Sequence, residues 1–375
     1  MTSPADIRIP ADQLPADGRF GVGPSVVRPE AIDALAAKAG GYMGTSHRQD
    51  RVKSMVGRLR EGLLELFSLP DGWEIVLGNG GTTVFWDAAT FGLIEERSQH
   101  LVFGEFSSKF AKAVDAAPHL GAAEVIETLP GTAPQPKPSD VDLYALTHNE
   151  TSTGVSTELR RPHGVTAAGG LVAVDATSAA GGLRWDPAQV DCYYFAPQKC
   201  FGSDGGLWIA ACAPAAVERI ERIAASDRWC PASIDLGIAL VNSRKNQTYN
   251  TPALATIFLA VHQIEWFNSN GGLEWAATRS DTSADIMYRW AAASEYATPY
   301  VTDPAIRSNV VATIDLDEAY SADDVMAACA ANGILDIGGY RKLGRNQLRV
   351  SMFPGVDPED VRSLTSCIDY VVGAL

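Results

Sequence analysis

The chain has 375 residues, 46% of them hydrophobic, which is enough to bury a large core. Its formal net charge of −15 argues against a nucleic-acid surface, because such surfaces carry basic stripes. The sequence contains no apolar run of the roughly eighteen residues that span a membrane, and residues 1–15 lack the apolar stretch of a secretory signal. Six cysteines without CxxC spacing indicate reduced core thiols. We therefore expect a cytoplasmic protein with neither a nucleic-acid nor a membrane partner.

Seven short apolar runs predict β-strands. Several of them are continuously hydrophobic, which is typical of a mostly parallel sheet covered by helices on both faces. The predicted strands are Glu74–Gly78, Leu101–Phe103, Ala123–Ile126, Leu143–Leu146, Leu171–Val174, Cys192–Phe195 and Leu207–Ala210. Helical patterns lie between and around them, so we predict a doubly wound α/β fold whose ligands bind at the carboxyl ends of the strands.

Helical periodicity, with Pro at helix starts and Gly at helix ends, predicts the remaining elements. The predicted helices are Pro29 to Gly40–Gly41, Arg51–Leu69, Thr82–Glu96, Ala253–Phe267, Leu273 to about Tyr296, Ser321–Ala331 and Asp357–Val372. Two further strands, at 309–314 and 347–351, belong to a smaller C-terminal α+β domain. We predict an N-terminal arm over residues 1–18, a large domain over 19–270 and a small domain over 271–375.

Lys199 and Asp175 carry the clearest chemistry. Lys199 follows one predicted strand, and Asp175 ends another. A lysine amine is ordinarily protonated at neutral pH, but in a partly desolvated turn it can lose that proton and attack a carbonyl to form a Schiff base. A nearby aspartate supplies the fixed negative charge that a pyridinium nitrogen needs. The pair indicates pyridoxal phosphate held covalently by Lys199, although a lysine after a strand is most often simply solvated.

A glycine- and threonine-rich turn joins the first predicted strand to a helix. Gly81, Thr82 and Thr83 place small residues, backbone N–H groups and hydroxyls at a positive helix end, which favours phosphate binding. An ordinary turn capped by Thr82 explains the same residues equally well. The turn matches neither the Walker pattern nor the Rossmann glycine pattern.

Three more segments carry candidate contacts, each with a structural alternative. Phe106 follows a strand and is suited to stacking on a planar ring or to core packing. Thr151 lies in a polar loop that can bind a ring hydroxyl or merely turn the chain. Asn250 and Thr251 open a helix, where they can contact a phosphate or act as a cap.

Two sites offer positive charge for an anionic substrate. His47 and Arg48 lie beside a glycine-rich loop and present an imidazole and a guanidinium. Arg349, on a strand of the second domain, has the fork that binds a carboxylate in bidentate geometry, and Arg341 adds charge nearby. Most arginines are surface residues, so each of these alone also has a purely structural explanation.

Taken together, these positions resemble the phosphoserine aminotransferases, a family within the fold-type I pyridoxal-phosphate enzymes. The resemblance covers roughly residues 19–375, and the chain is similar to a divergent, actinobacterial branch. The runs that carry it are Gly21–Pro24, Ser46–Arg48, Asn149–Thr151, Asp175, Gln198–Lys199, Asn250–Pro252 and Leu348–Ser351. It implies a fold-type I transferase with a seven-stranded sheet, and a homodimer whose active sites lie at the subunit interface.

The resemblance also implies residue roles. Lys199 would form the imine with pyridoxal phosphate, and Asp175 would pair with the ring nitrogen. Contacts to the ring, its hydroxyl and its phosphate would come from Gly81, Thr82, Thr83, Phe106, Thr151, Gln198, Asn250 and Thr251, the last two from the neighbouring subunit. Substrate anions would meet His47, Arg48, Arg341 and Arg349. No metal is implied. The chain departs from the family pattern at Thr82–Thr83, where a basic residue is common, and at Tyr340, where histidine is usual.

The activity implied by the resemblance is a ping-pong transamination in serine biosynthesis. Glutamate and 3-phosphohydroxypyruvate would give 2-oxoglutarate and phosphoserine, and the family also acts on a phosphorylated hydroxythreonine precursor of pyridoxine. The nearest alternatives are an alanine–glyoxylate type transaminase and a cysteine desulfurase, for which Cys230 is the candidate nucleophile. A non-catalytic anion-binding protein and a nucleotide-dependent oxidoreductase are more distant alternatives.

Overall fold

The computed structural model describes residues 3–375. Met1 and Thr2, which begin the predicted N-terminal arm, lie outside the described residues. The helices of the first part of the chain are α1 (Pro29–Tyr42), α2 (Asp50–Leu66), α3 (Thr82–Gly92), α4 (Ser107–Ala116), α5 (Pro214–Ala224), α6 (Leu236–Arg244) and α7 (Leu254–Ser269). The strands of this part are β1 (Glu74–Asn79), β2 (Ser98–Val102), β3 (Glu124–Glu127), β4 (Leu143–Thr147), β5 (Asn149–Glu150), β6 (Val155–Ser156), β7 (Leu171–Asp175), β8 (Cys192–Phe195) and β9 (Leu207–Cys212).

Seven of these strands form one sheet in the order β1-β9-β8-β7-β4-β2-β3. The strands from β8 to β3 pair in parallel, and β9 is antiparallel to both β1 and β8. Every residue of β4, β7, β8 and β9 is buried, as expected for strands covered on both faces. The predicted α/β fold with a mostly parallel seven-stranded sheet is therefore confirmed.

Helices cover the two faces of this sheet with separate apolar clusters. One cluster packs α2 and α7 against residues such as Leu77, Val172 and Phe195. The other packs α3, α4, α5 and α6 against alternate strand residues such as Val76 and Tyr194. Successive side chains of a strand point to opposite faces, so each continuous apolar run serves both clusters.

The rest of the chain builds a second, smaller sheet. Its elements are α8 (Gly272–Ala293), β10 (Ala297–Pro299), β11 (Val311–Leu316), α9 (Ala322–Ala331), β12 (Gln347–Ser351) and α10 (Pro358–Ala374). The strands form an antiparallel sheet in the order β10-β11-β12, over a core that also contains Ile7, Ile9 and Phe20 from the N-terminal segment. The predicted domain boundary at 270 falls in the turn between α7 and α8 and stays a prediction.

Several predicted element ends were wrong. α1 runs through Gly40–Gly41 to Tyr42. α2 ends at Leu66, before Ser68 adopts a positive φ of 48° that a helix cannot contain. α3 ends at Gly92, and its N-cap is Gly81, so the alternative in which Thr82 is the cap is wrong. The helices α4, α5 and α6, the β5–β6 hairpin and β10 had not been predicted.

Within residues 3–375, no helix is both long and apolar enough to cross a membrane. In the same residues, no group of three or more His, Cys, Asp or Glu side chains is arranged to hold a metal ion.

Candidate active site

The candidate site lies at one edge of the large sheet, where the parallel strands end. The strands β1, β2, β4, β7 and β8 all have their carboxyl ends there, because β1 and β8 are both antiparallel to β9 and the other three are parallel to β8. Consequently the predicted site residues that follow these strands lie at a common edge, although they are far apart in the sequence.

Lys199 is almost fully buried, with 9% of its surface exposed, and its Nζ donates a hydrogen bond to the carbonyl of Val22. Gly23 makes room for it, since a Cβ there would lie 2.4 Å from Lys199 Cε. Burial, and next the positive charge of Arg349, lower the pKa of Lys199 to about 8. A sizeable minority of the amine is therefore neutral at physiological pH, whereas an ordinary lysine is almost entirely protonated, and the neutral form is the one that acts as a nucleophile or a base.

Asp175 ends β7 and is also buried. Its Oδ1 accepts hydrogen bonds from the Thr177 backbone N–H (2.9 Å) and the Thr177 hydroxyl (2.6 Å), and its Oδ2 accepts one from Trp86 Nε1 (3.2 Å). Burial raises the pKa of Asp175 to about 6, while these hydrogen bonds lower it. The carboxylate is thus held rigidly in a dry environment and is ionised at neutral pH.

The glycine turn before α3 has the form of an anion cradle. Gly80 has a φ of +107°, and a Cβ placed on Gly81 would meet no atom within 4 Å among the described residues. The hydroxyl of buried Thr82 lies 2.7 Å from the Thr177 hydroxyl, while Thr83 is exposed. The open space in front of Gly81 and the free N–H groups of the first helical turn are what a phosphate needs.

Aromatic and cationic side chains from both parts of the chain meet near Lys199. The ring centroid of Phe106 lies 5.9 Å from Lys199 Nζ and 5.9 Å from the Tyr340 ring. The guanidinium of Arg349 lies 5.3 Å from the Tyr340 ring and donates a hydrogen bond of 3.3 Å to the Thr151 carbonyl. Phe106, Thr151 and Arg349 are therefore brought into one region with Lys199.

The polar loop after β4 is buried, and hydrogen bonds to neighbouring protein groups hold its side chains in place. Asn149 Nδ2 and the Thr151 hydroxyl both donate to Ser178 Oγ, at 2.9 and 2.8 Å. Glu150 receives hydrogen bonds from the backbone N–H groups of Ser107 and Ser152, so it acts as a cap for α4. The loop is a rigid part of the site.

A second set of predicted residues lies at the end of β1. Thr251 Oγ1 and His47 Nδ1 are 3.3 Å apart, and Asn79 Nδ2 donates to the carbonyls of Asn250 and Thr251, at 3.2 and 3.1 Å. Asn250, Thr251 and the neighbouring Arg48 are exposed. Burial and the charge of Arg48 lower the pKa of His47, which is buried and neutral at physiological pH.

We call the residues around Lys199 and Asp175 the inner group, which comprises Trp86, Phe106, Thr151, Asp175, Thr177, Lys199 and Arg349. We call the second set the outer group, which comprises His47, Arg48, Asn250 and Thr251. Of the predicted substrate residues, Arg341 lies in neither group. It is exposed on a short 3-10 turn over residues 341–343.

Trp86 and Thr177 are site residues that the sequence reasoning had missed. Thr177 follows Asp175 by two residues, a spacing at which a hydroxyl commonly bonds a preceding carboxylate, so its role could have been inferred. Trp86 lies one helical turn after Thr82, so a common face was predictable. Its contact with Asp175, 89 residues away, was not.

The Aminotransferase class-V family model matches residues 23–364. A phosphoserine aminotransferase from a Nocardioides species is 58% identical over 370 residues, covering 98% of this chain and 99% of that protein. The chain belongs to the phosphoserine aminotransferase family of class-V aminotransferases. The family resemblance found in the sequence is thereby confirmed.

Two solved structures have the same fold. The phosphoserine aminotransferase of Cytophaga hutchinsonii superimposes with a TM-score of 0.84 at 23% identity, covering 94% of this chain and 99% of that one. The enzyme from Trichomonas vaginalis, solved with pyridoxal phosphate bound, gives a TM-score of 0.77 at 20% identity, covering 94% and 99%. At sequence identities below 25%, these structural matches support the fold alone. The chemistry of this chain has to be argued from the residues of its own site.

The residues present fit pyridoxal phosphate. Arg349 Nε is a buried donor with no hydrogen-bond partner in residues 3–375, and an anion can satisfy it; Gln198 Oε1, beside Lys199, is an orphaned acceptor, which needs a donor and not an anion. Such orphaned groups are costly unless a ligand satisfies them. The open space at Gly81 fits the phosphate of pyridoxal phosphate, the ionised Asp175 fits its ring nitrogen, and the buried Lys199 amine fits its aldehyde.

Cysteine chemistry is disfavoured by the surroundings of the thiols. All six cysteines are unpaired in the described chain, and only Cys230 is not fully buried. Burial raises the pKa of Cys230 to about 11, so the thiol is protonated at neutral pH. A desulfurase needs a reactive thiolate, and Cys230 does not have that character.

Proposed function

We propose that this chain transfers the amino group of glutamate to 3-phosphohydroxypyruvate, giving 2-oxoglutarate and phosphoserine by a ping-pong route. The observation that carries this proposal is the inner group, in which a buried lysine with a lowered pKa, an ionised aspartate and a half-buried arginine lie together at the sheet edge. Two anion-binding regions, at Arg349 and in the outer group, match substrates that carry an anion at each end.

Lys199 and Asp175 would act on the reacting centre. When bound, pyridoxal phosphate supplies an electron-withdrawing ring that stabilises negative charge at the substrate α-carbon. Lys199 Nζ would hold the aldehyde covalently and, once displaced by the amino donor, would take the donor's α-proton and deliver it to the cofactor carbon that carries the nitrogen. Asp175 would hold a proton on the ring nitrogen, and Phe106 would cover one face of the ring.

Separate residues would bind the anions. The cofactor phosphate would lie against the N–H groups of Gly81, Thr82 and Thr83, with Gln198 beside it. Arg349, whose Nε is unsatisfied among the described atoms, would bind the α-carboxylate shared by both amino acids. Arg48, with His47, would meet the distal phosphate or carboxylate, because an exposed guanidinium can accept either anion.

The outer group supports a homodimer with shared active sites. Asn250 and Thr251 are exposed polar residues that the family pattern places at the neighbouring subunit's cofactor phosphate. Because Thr251 contacts His47, both segments of the outer group would act on the same site. We further infer a cytoplasmic location, since six unpaired thiols in the described chain suit a reducing compartment.

The test is a product assay on purified protein with added pyridoxal phosphate. Glutamate with 3-phosphohydroxypyruvate should yield equal amounts of 2-oxoglutarate and phosphoserine. A phosphorylated hydroxythreonine-pathway keto acid is a second acceptor, which we expect to react because it carries the same two anions. Alanine with glyoxylate, or sulfide release from cysteine, at a higher kcat/KM would contradict the proposal. Sedimentation of the holoenzyme as a monomer would contradict the shared site.

A further inference from the structure

The two carboxylate oxygens of Asp175 differ in how many hydrogen bonds they accept. Each carboxylate oxygen has two lone pairs. Oδ1 uses both on Thr177, whereas Oδ2 receives only Trp86 Nε1 and keeps one acceptor position. Oδ2 is therefore the oxygen with capacity for a further donor, and it is the oxygen that Trp86 holds.

Trp86 reaches this oxygen because of where α3 starts. Thr82 and Trp86 are four residues apart, so they lie on one face of the helix. At one end of that face the Thr82 hydroxyl contacts Thr177, and one turn later the Trp86 indole contacts Asp175. The indole is 4% exposed and is packed in the same apolar cluster as Phe85 and Trp208. The helix α3 thus contacts the Asp175–Thr177 segment at two points, through Thr82 and through Trp86.

The direction of the hydroxyl bonds follows from the charge on Asp175. An ionised carboxylate only accepts, so the Thr177 hydroxyl must give its single proton to Oδ1. Thr177 then accepts from Thr82, whose hydroxyl proton points away from the cradle. An anion in the cradle would consequently bind the backbone N–H of Thr82, and Thr83 is the residue with a free hydroxyl.

We propose that Trp86 is a positioning residue that fixes Asp175 Oδ2 and favours the ionised carboxylate, so that the aspartate can pair with a protonated ring nitrogen. This inference rests on the proposed pyridoxal-phosphate function and adds a residue to it. The indole does not itself contact the reacting atoms; it acts through Asp175. Loss of the N–H should make Asp175 easier to protonate, because a hydrogen bond to the charged form stabilises that form.

Other groups around Asp175 also influence its charge. Lys199 attracts it, and Glu150 repels it and raises its pKa. Tyr193 and Tyr194 on the adjacent strand β8 are neutral, because burial and Asp175 itself raise their pKa values. Lys199, Glu150 and Tyr193 keep their contacts when Trp86 is replaced. Tyr194 loses a hydrogen bond with the indole that lowers its pKa, but it stays neutral because burial and Asp175 hold that pKa well above its ordinary value.

The chain offers a matched control in Trp208. It is buried in the same cluster, its ring lies 5.2 Å from the Phe85 ring, and its Nε1 has no partner anywhere in residues 3–375. Trp86→Phe and Trp208→Phe therefore remove the same volume from one core, and only the first also removes a hydrogen bond.

The first experiment measures the affinity of each cofactor-free variant for pyridoxal phosphate by absorption titration. If the pKa of Asp175 rises from about 6 to roughly 7 in Trp86→Phe, affinity should fall roughly fivefold relative to wild type near pH 6 and less than twofold near pH 8. Trp208→Phe should follow wild type at both values. The proposal would be overturned if the loss of affinity in Trp86→Phe relative to wild type were the same at both pH values. It would also be overturned if Trp208→Phe showed the same pH-dependent loss of affinity.

The second experiment stays informative even if Trp86→Phe does not fold. The indole ¹⁵N–H signals of the eight tryptophans are followed with pH in the full-length, cofactor-free wild type and in Asp175→Asn. One signal should shift with a midpoint near pH 6 and lose that shift in Asp175→Asn. Trp290, which donates to Asp369, is an internal reference whose response should not change. If no indole signal depends on Asp175, the proposal fails, whether or not the protein binds cofactor.

Discussion

The inner and outer groups differ in how completely one chain builds them. In the inner group, Asp175 has three donors within the described chain, and Lys199 is buried against Val22. In the outer group, Arg48, Asn250 and Thr251 are exposed, and buried His47 keeps Nε2 without a partner among residues 3–375.

Under the proposed function, this difference would separate the reacting centre from the residues that bind the distal anion of the substrate. Positions that must not move are fixed by backbone and helix contacts of one chain, as preorganised sites require. Arg48, which we propose accepts two different anions, is exposed on the single chain, and in the proposed homodimer a second chain would complete its surroundings. Damage to Lys199 or Asp175 should therefore affect chemistry and the cofactor, whereas damage to Arg48 should affect the phosphorylated substrate.

The largest expected effect is that of Lys199→Ala. Loss of the base and of the attachment point should reduce turnover by about 10³-fold or more. Steady-state assays should detect this loss, while circular dichroism remains like wild type. Lys38→Ala, at an exposed position of α1, is the control and should be fully active. Substantial turnover in Lys199→Ala would disprove the assignment.

Arg349→Ala should raise the KM for glutamate by about 100-fold, since a charge-assisted bidentate contact is lost. Arg349→Lys should recover only part of that loss, because an ammonium lacks the planar fork. Arg345→Ala removes an exposed arginine near the start of the same strand, paired with Asp315, and should leave KM unchanged. Equal KM values for Arg349→Ala and Arg345→Ala would rule out carboxylate binding at Arg349.

Arg48→Ala tests the outer group. We expect the KM for 3-phosphohydroxypyruvate to rise about tenfold, because one exposed charge contact is lost. The dissociation constant of pyridoxal phosphate should stay within about twofold, since the inner group is intact. Arg58→Ala, an exposed arginine of α2 paired with Glu265, is the matched control. A parallel loss of substrate and cofactor binding would mean that the two groups are not separate.

The smallest effect concerns the pH dependence of cofactor attachment. With a pKa of about 8, Lys199 is protonated at lower pH and neutral at higher pH. The rate of covalent attachment to cofactor-free protein should therefore rise about threefold from pH 7.5 to 8.5 and then level off. Stopped-flow absorbance measures this rate. A rise that continues to pH 10 would indicate an ordinary, solvated lysine.

Much of the inner group was predictable from the sequence. Buried parallel strands can be recognised as continuous apolar runs, and the residues that follow such strands lie at the same edge of the sheet. Lys199, Asp175 and Thr151 were identified in this way. The direction of β9 was not predictable, since a fully buried strand has the same composition in either direction.

Helix ends were predicted less accurately than the strands, and the long-range hydrogen bonds of the site were not predicted. Leu93 and Ile94 are buried after α3 has ended, so an apolar pattern alone extended that helix too far. By contrast, α5 begins at a proline and buries Val217, Ile220 and Ile223 on one face, a pattern that could have been found. The Trp86–Asp175 contact depends on tertiary packing and leaves no local signal.

The most direct test of the central claim is to reduce the holoenzyme with borohydride and map the modified peptide by mass spectrometry. We predict that pyridoxal phosphate is attached to Lys199, and that Lys199→Ala carries no attached cofactor under the same conditions. Attachment to a different lysine, or no attachment in a protein saturated with pyridoxal phosphate, would contradict the account.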